Sequence, residues 1–108
     1  MRKITALASH ALLHGDSFKR DNTRVTHAGN KAQLYLHGHK VAEHSLSGTL
    51  ELNDCGWRTP TTKERLNGVL DAFNTGLYIY QKQHVWYIHN QETDTTTEWE
   101  DGVNVINL

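Results

Sequence analysis

A chain of 108 residues with one cysteine and a formal net charge of −1 has room for one domain and one modest core. With Cys55 alone no internal disulfide can form, so the composition excludes a disulfide-stapled secreted scaffold and fits a reducing cytoplasm. No apolar run approaches the roughly 20 residues of a membrane span. The stretch behind Arg2 and Lys3 is interrupted by Thr5, Ser9 and His10, so we read it as a structural helix carrying the start methionine, not as a signal peptide.

In chain order, Lys3 to His14 has helical spacing: Ile4, Leu7, Ala8, Ala11 and Leu12 recur at steps of three and four, and Gly15 follows as a stop. Asp16 to Asp21 reads as a polar connection. Asn22 to His27 alternates like a strand, with Thr23, Val25 and His27 on one face, and Ala28-Gly29-Asn30 is a turn signal. Alternation resumes over Ala32 to Ala42. There Leu34 and Leu36 share a face, and His37-Gly38-His39 marks a tight turn or bulge. His44 to Gly48 is polar and reads as a loop. Gly48 to Leu52 is a third alternating run, ended by Asn53-Asp54-Cys55-Gly56.

The strongest local signal follows Pro60. Thr61-Thr62-Lys63-Glu64 matches a capping box, with a hydroxyl at the N-cap and a Glu three residues on. Leu66, Val69, Leu70 and Phe73 then fall at i, i+3, i+4 and i+7, which predicts a helix over about 62–73 with those four facing a sheet. Asn74 to Gly76 closes it. Leu77 to Tyr80 and Val85 to His89 read as a hairpin with the four-residue loop Gln81 to His84. Gln91 to Thr97 is polar and threonine-rich. Asp101-Gly102 predicts a short last hairpin or edge strand with Val103 and Val105 on one face. Strands separated by turns and not by helices argue for an α+β fold. We expect one domain, 1–108, with a mainly antiparallel sheet, an N-terminal helix and one capped amphipathic helix packed on one face.

The near-zero net charge conceals an asymmetry. Residues 1–65 carry ten Lys or Arg against six Asp or Glu, or +4, and residues 66–108 carry Lys82 against six acids, or −5. Such a split marks either a polar binding surface or two segments that neutralise each other.

Catalytic constellations are absent from the pattern. Nothing resembles a nucleophile elbow or a glycine-rich phosphate loop. Cys55 follows Asp54, whose charge would raise a thiol pKa, so a strand-end turn is the simpler role. His10 with His14, four apart on a helix, and His37 with His39, two apart on a strand, each share a face, but zinc needs three or four ligands. No metal, no other cofactor and no enzyme activity is expected. Of Trp57, Trp86 and Trp99, at least two should be core anchors. The candidate binding strip is Trp57, Arg58, Lys63 and Arg65, at a junction beside the N-terminus of a helix, where exposed N–H groups favour an anionic partner. The structural alternative puts Trp57 in the core and Arg65 in a local ion pair.

Several segments together resemble one family. They are 19–25 (Lys-Arg-Asp-Asn-Thr-Arg-Val), 34–42 (Leu-Tyr-Leu-His-Gly-His-Lys-Val-Ala) and 56–67, with Gly-Trp followed by Thr-Thr-Lys-Glu-Arg-Leu-Asn. Gln81-Lys82, Trp86-Tyr87 and the closing Trp99 to Val105 belong to the same pattern. It is similar to a family of short tailed-bacteriophage proteins, which carry Asn where this chain has His39. The resemblance implies a phage accessory protein in the bacterial host cytoplasm that binds and modulates a host or phage macromolecular machine, such as a host-defence complex, without catalysis. A nucleic-acid-binding accessory protein is the alternative, resting on the basic first part and Trp57. No membrane partner is expected.

Overall fold

The protein is described by a computed structural model over residues 2–105. Among the described residues the elements run α1 (Lys3–His14), β1 (Phe18–Arg20), β2 (Thr23–Ala28), β3 (Lys31–Leu36), β4 (His39–Ser45), β5 (Leu50–Leu52), α2 (Pro60–Ala72), β6 (Leu77–Lys82), β7 (Val85–Asn90), β8 (Thr95–Glu98) and β9 (Val103–Asn104). The fold is α+β, and every strand pair is antiparallel. The strands divide into two sheets, β1-β2-β3-β4-β5-β9 and β6-β7-β8.

One apolar core joins all layers. Ala8, Ala11 and Leu12 of α1 and Leu66, Val69 and Leu70 of α2 pack with Val25, Leu34, Val41 and Leu50 of the larger sheet. Leu77, Ile79, Trp86 and Ile88 of the smaller sheet and Trp99 complete it. Phe73 is only partly buried, and Leu7 stays 40 % exposed on the outer side of α1. The helices meet at Gly68. A Cβ built there would stand 2.2 Å from Thr5 Cγ2, so only a residue without a side chain allows this approach.

Several expectations require correction. The helix cap is Thr59, not Thr61: Thr59 Oγ1 accepts from the Thr62 N–H at 3.2 Å, and Pro60 occupies the first helical position. Proline at the first helical position lacks a donor that would go unused there, so the helix begins two residues earlier than the capping box implied. Glu64 turns away from the cap to α1 and Arg65. The stretch 16–21 contains β1, an edge strand whose Lys19 and Arg20 carry no apolar alternation. β4 continues through Ser45, because the His44 ring meets Phe73 edge-on at 4.7 Å and Ser45 is buried. His27 lies exposed although Thr23 and Val25 are buried. The β6–β7 loop has two residues, not four: Gln83 and His84 both take positive φ, the geometry of a tight hairpin turn, without the usual Asn or Gly. The threonine-rich stretch 91–97 supplies β8. Asp101-Gly102 does turn the chain, but β9 then pairs with distant β5, as an edge strand and not a local hairpin.

Candidate functional site: a groove beside Trp57

The site is built where the β3–β4 hairpin approaches the start of α2. His37 and Gly38 form the hairpin's two-residue turn, both with positive φ, and a bulge beside Leu34 and Tyr35 shifts the register. After β5, Cys55 and Gly56 also take positive φ and swing the chain outward into Trp57. Trp57 is 57 % exposed, and its ring centroid lies 5.9 Å from that of His39. Both line a groove of about 450 Å³, together with the buried Leu36 and Val41 and with His37, Thr59, Thr61 and Thr62.

Asp54 holds this corner together. Its Oδ1 accepts from the Gly56 N–H at 2.7 Å, and its Oδ2 accepts from Trp99 Nε1 at 2.8 Å and Arg58 Nε at 3.0 Å. Burial pushes its pKa up, but the Gly56, Trp99 and Arg58 hydrogen bonds outweigh burial and hold the carboxyl below its ordinary value. The Asp54 N–H donates to the Asp101 carboxylate, which ties the site to the far end of the chain. Cys55 Sγ donates to the Lys40 carbonyl, and burial with the Asp101 and Asp54 charges raises its pKa, so the thiol stays protonated and a poor nucleophile.

The four residues of the expected strip separate. Trp57 lines the groove. Arg58 stands beside it with its guanidinium paired to Asp54 and 5.9 Å from the Trp86 ring. Lys63 is half-buried on α2. Arg65 does not reach the surface. It is 1 % exposed, with Nη1 donating to Thr5 Oγ1 and Glu64 Oε1 at 2.6 Å each and Nε donating to Thr23 at 3.1 Å. Burial lowers the Arg65 pKa and the Glu64 charge opposes that shift. Thr5, Thr23, Glu64 and Arg65 thus form a polar knot joining α1, β2 and α2.

The groove residues that sequence reasoning missed are Leu36, Val41, Asp54 and the Thr59–Thr62 turn. His37 and His39 were legible only as a metal pair. Their adjacency to Trp57 depends on a hairpin folding against a helix some 20 residues on, which no local pattern reports. Among the described residues no group of three or more His, Cys, Asp or Glu is placed to hold a metal ion. None of their helices is long and apolar enough to cross a membrane.

The model of a family described as Kyanoviridae Gp96 protein matches residues 1–106. The chain belongs to this family. Kyanoviridae Gp96 is a phage protein family, in agreement with the tailed-phage resemblance carried by the motifs. No curated protein and no solved structure matches the chain.

Proposed function

We propose that this phage accessory protein is a non-enzymatic binding module, acting in the host cytoplasm, whose groove beside Trp57 receives a segment of a host or phage protein machine such as a defence complex. The observation that carries this reading is Trp57. A tryptophan more than half exposed, lining a groove with buried apolar residues and polar hydroxyls, has the make-up of an interface anchor. The groove's carboxylate and Arg58 already satisfy each other, and the thiol is held protonated. This leaves a shape and an aromatic face to recognise a partner. The test is capture from infected-host lysate by the wild-type chain and by Trp57→Ala, with melts of both. Capture lost with an unchanged melt supports the groove, and capture unchanged sinks it.

One observation favours nucleic acid as a second reading. Lys19 and Arg24 stand opposite each other on β1 and β2, Arg20 adjoins them, and the Arg24 guanidinium lies 4.9 Å from the Tyr35 ring. A basic edge with an aromatic suits a phosphate chain. A labelled oligonucleotide whose binding falls steeply with salt would favour it, and no binding at low salt would remove it.

A further inference from the structure

The two edges of the smaller sheet are treated differently. At β6, Asn67 of α2 closes the edge: its Nδ2 donates to the Ile79 carbonyl at 2.9 Å, and the Ile79 N–H donates to its Oδ1 at 2.7 Å. A side-chain amide there occupies the donor and acceptor that a further strand would use. At β8 nothing comparable is present among the described residues, and all four residues of Thr95–Glu98 are exposed.

The ladder identifies which groups are open. The Trp99 N–H donates to the Trp86 carbonyl, so Trp86–Trp99 is a hydrogen-bonded pair. Antiparallel pairs alternate, so Ile88–Thr97 and Asn90–Thr95 are bonded pairs, and Tyr87–Glu98 and His89–Thr96 are not. The His89–Thr96 side-chain contact of 2.7 Å fits the closer spacing of a non-bonded pair. Thr96 and Glu98 therefore direct their backbone N–H and C=O groups away from β7. Both also place their side chains on the outer face, with Tyr87, Tyr80 and Tyr78.

The charge around this edge has one sign. Asp94, Glu98 and Glu100 are exposed along it, Asp94 with its Oδ1 3.4 Å from His89 Nε2, and Lys82, the only Lys or Arg after residue 65, lies at the far end of β6. We infer that β8 is a docking edge for an extended Lys- or Arg-bearing segment of a partner protein, which adds as a further strand on the Thr96 and Glu98 backbone groups and sets its basic side chains against Asp94, Glu98 and Glu100. The short strand and its acids discourage pairing with neutral or acidic strands, so the same features supply selectivity. This interface is separate from the Trp57 groove and stands without it.

The probe is a nine-residue peptide alternating Lys and Val, with a Glu–Val peptide as its counterpart, added to the full chain and followed by amide NMR and hydrogen exchange. The expected result is slowed exchange at the Thr96 and Glu98 N–H groups with the Lys peptide alone. Binding should weaken about tenfold in Glu98→Lys, and Thr96→Pro, which removes one outward donor, should weaken it similarly with an unchanged melt. Trp57→Ala should leave it intact. Equal effects from the Glu–Val peptide, no protection at Thr96 and Glu98, or shifts centred on Trp57 would each overturn the assignment. So would protection that rises with protein concentration alone, which would assign the edge to a second copy of this chain. Should Thr96→Pro fail to fold, Glu98→Lys decides.

Discussion

Arg58 and Arg65 are seven residues apart, carry the same charge and stand at the same end of α2, yet they occupy different environments. Arg58 is 42 % exposed at its side chain, with the Asp54 carboxylate as its ion-pair partner and the Trp86 ring 5.9 Å away. Arg65 is sealed between α1, α2 and β2, and its charge is answered by Glu64 and by the hydroxyls of Thr5 and Thr23. A buried guanidinium deprived of its partners pays the full cost of desolvation, whereas one at the surface exchanges a carboxylate for water. Charge therefore tells little about role at this end of the helix. Position decides: Arg58 precedes the helix beside the Asp54 corner, whereas Arg65 lies on the α2 face that packs against α1 and β2.

The largest effect should come from the knot. Arg65→Ala, which strands Glu64 and the buried hydroxyls of Thr5 and Thr23, should lose about 3–5 kcal/mol in a denaturant melt, against about 1 kcal/mol or less for Arg58→Ala. Comparable losses would erase the distinction. Next is the helix crossing beneath the knot. Gly68→Ala should lose about 1–3 kcal/mol by overpacking against Thr5. Thr5→Ser removes the offending methyl and keeps the hydroxyl that Arg65 uses, so the double variant should recover most of that loss, and simple additivity would refute the contact.

On the groove side, Asp54→Asn should lose about 1–3 kcal/mol at neutral pH, because it replaces a charged acceptor of three hydrogen bonds. The Asp54 pKa is lower folded than unfolded, so its stabilisation is present above the ordinary carboxylate pKa and fades as pH falls through the depressed value. Glu64 is shifted the same way: burial raises it, and hydrogen bonds from Thr5 and Arg2 with the Arg65 charge lower it further. Wild-type stability should therefore fall below about pH 4, and Asp54→Asn should flatten that fall in urea melts taken across pH 3–6. An unchanged slope would remove Asp54 as a source of acid lability. Thr59→Ala should lose roughly 1 kcal/mol and Thr61→Ala distinctly less, since only Thr59 caps the helix. The smallest effect on stability, within about half a kcal/mol, should be Trp57→Ala.

These contrasts also mark what was legible in the sequence. Both helices, the apolar faces Leu66–Val69–Leu70 and Leu34–Leu36, and the His37-Gly38 turn follow from periodicity and turn chemistry, which are local. β1 and β8 escaped because exposed edge strands of Lys, Arg and Thr lack the alternation that burial imposes. Arg65 escaped for another reason: the oxygens that make its burial tolerable come from residues 5 and 23, far off in the chain. The groove was half visible. Trp57 stood out by its neighbours, but the groove's apolar lining comes from β3 and β4, and only the tertiary fold brings them beside Trp57.

β9 bears on the order in which the chain can assemble. The pairs from β1–β2 to β4–β5 link neighbours through short turns, so five strands of the larger sheet form a meander that can nucleate locally. Leu52 instead pairs with Val103, and the Gly102 N–H donates to the Leu52 carbonyl. During synthesis the meander and α2 can leave the ribosome and pack while this partner is still unmade. The corner at Asp54 is then the last part of the larger sheet to close, and the groove reaches its final shape only once Asp101 and Val103 have been made and have docked. Pulse-labelled hydrogen exchange during refolding should show β2 and β3 amides protected before those of Gly102 and Val105. Simultaneous protection would mean that the two ends of the chain close in one step.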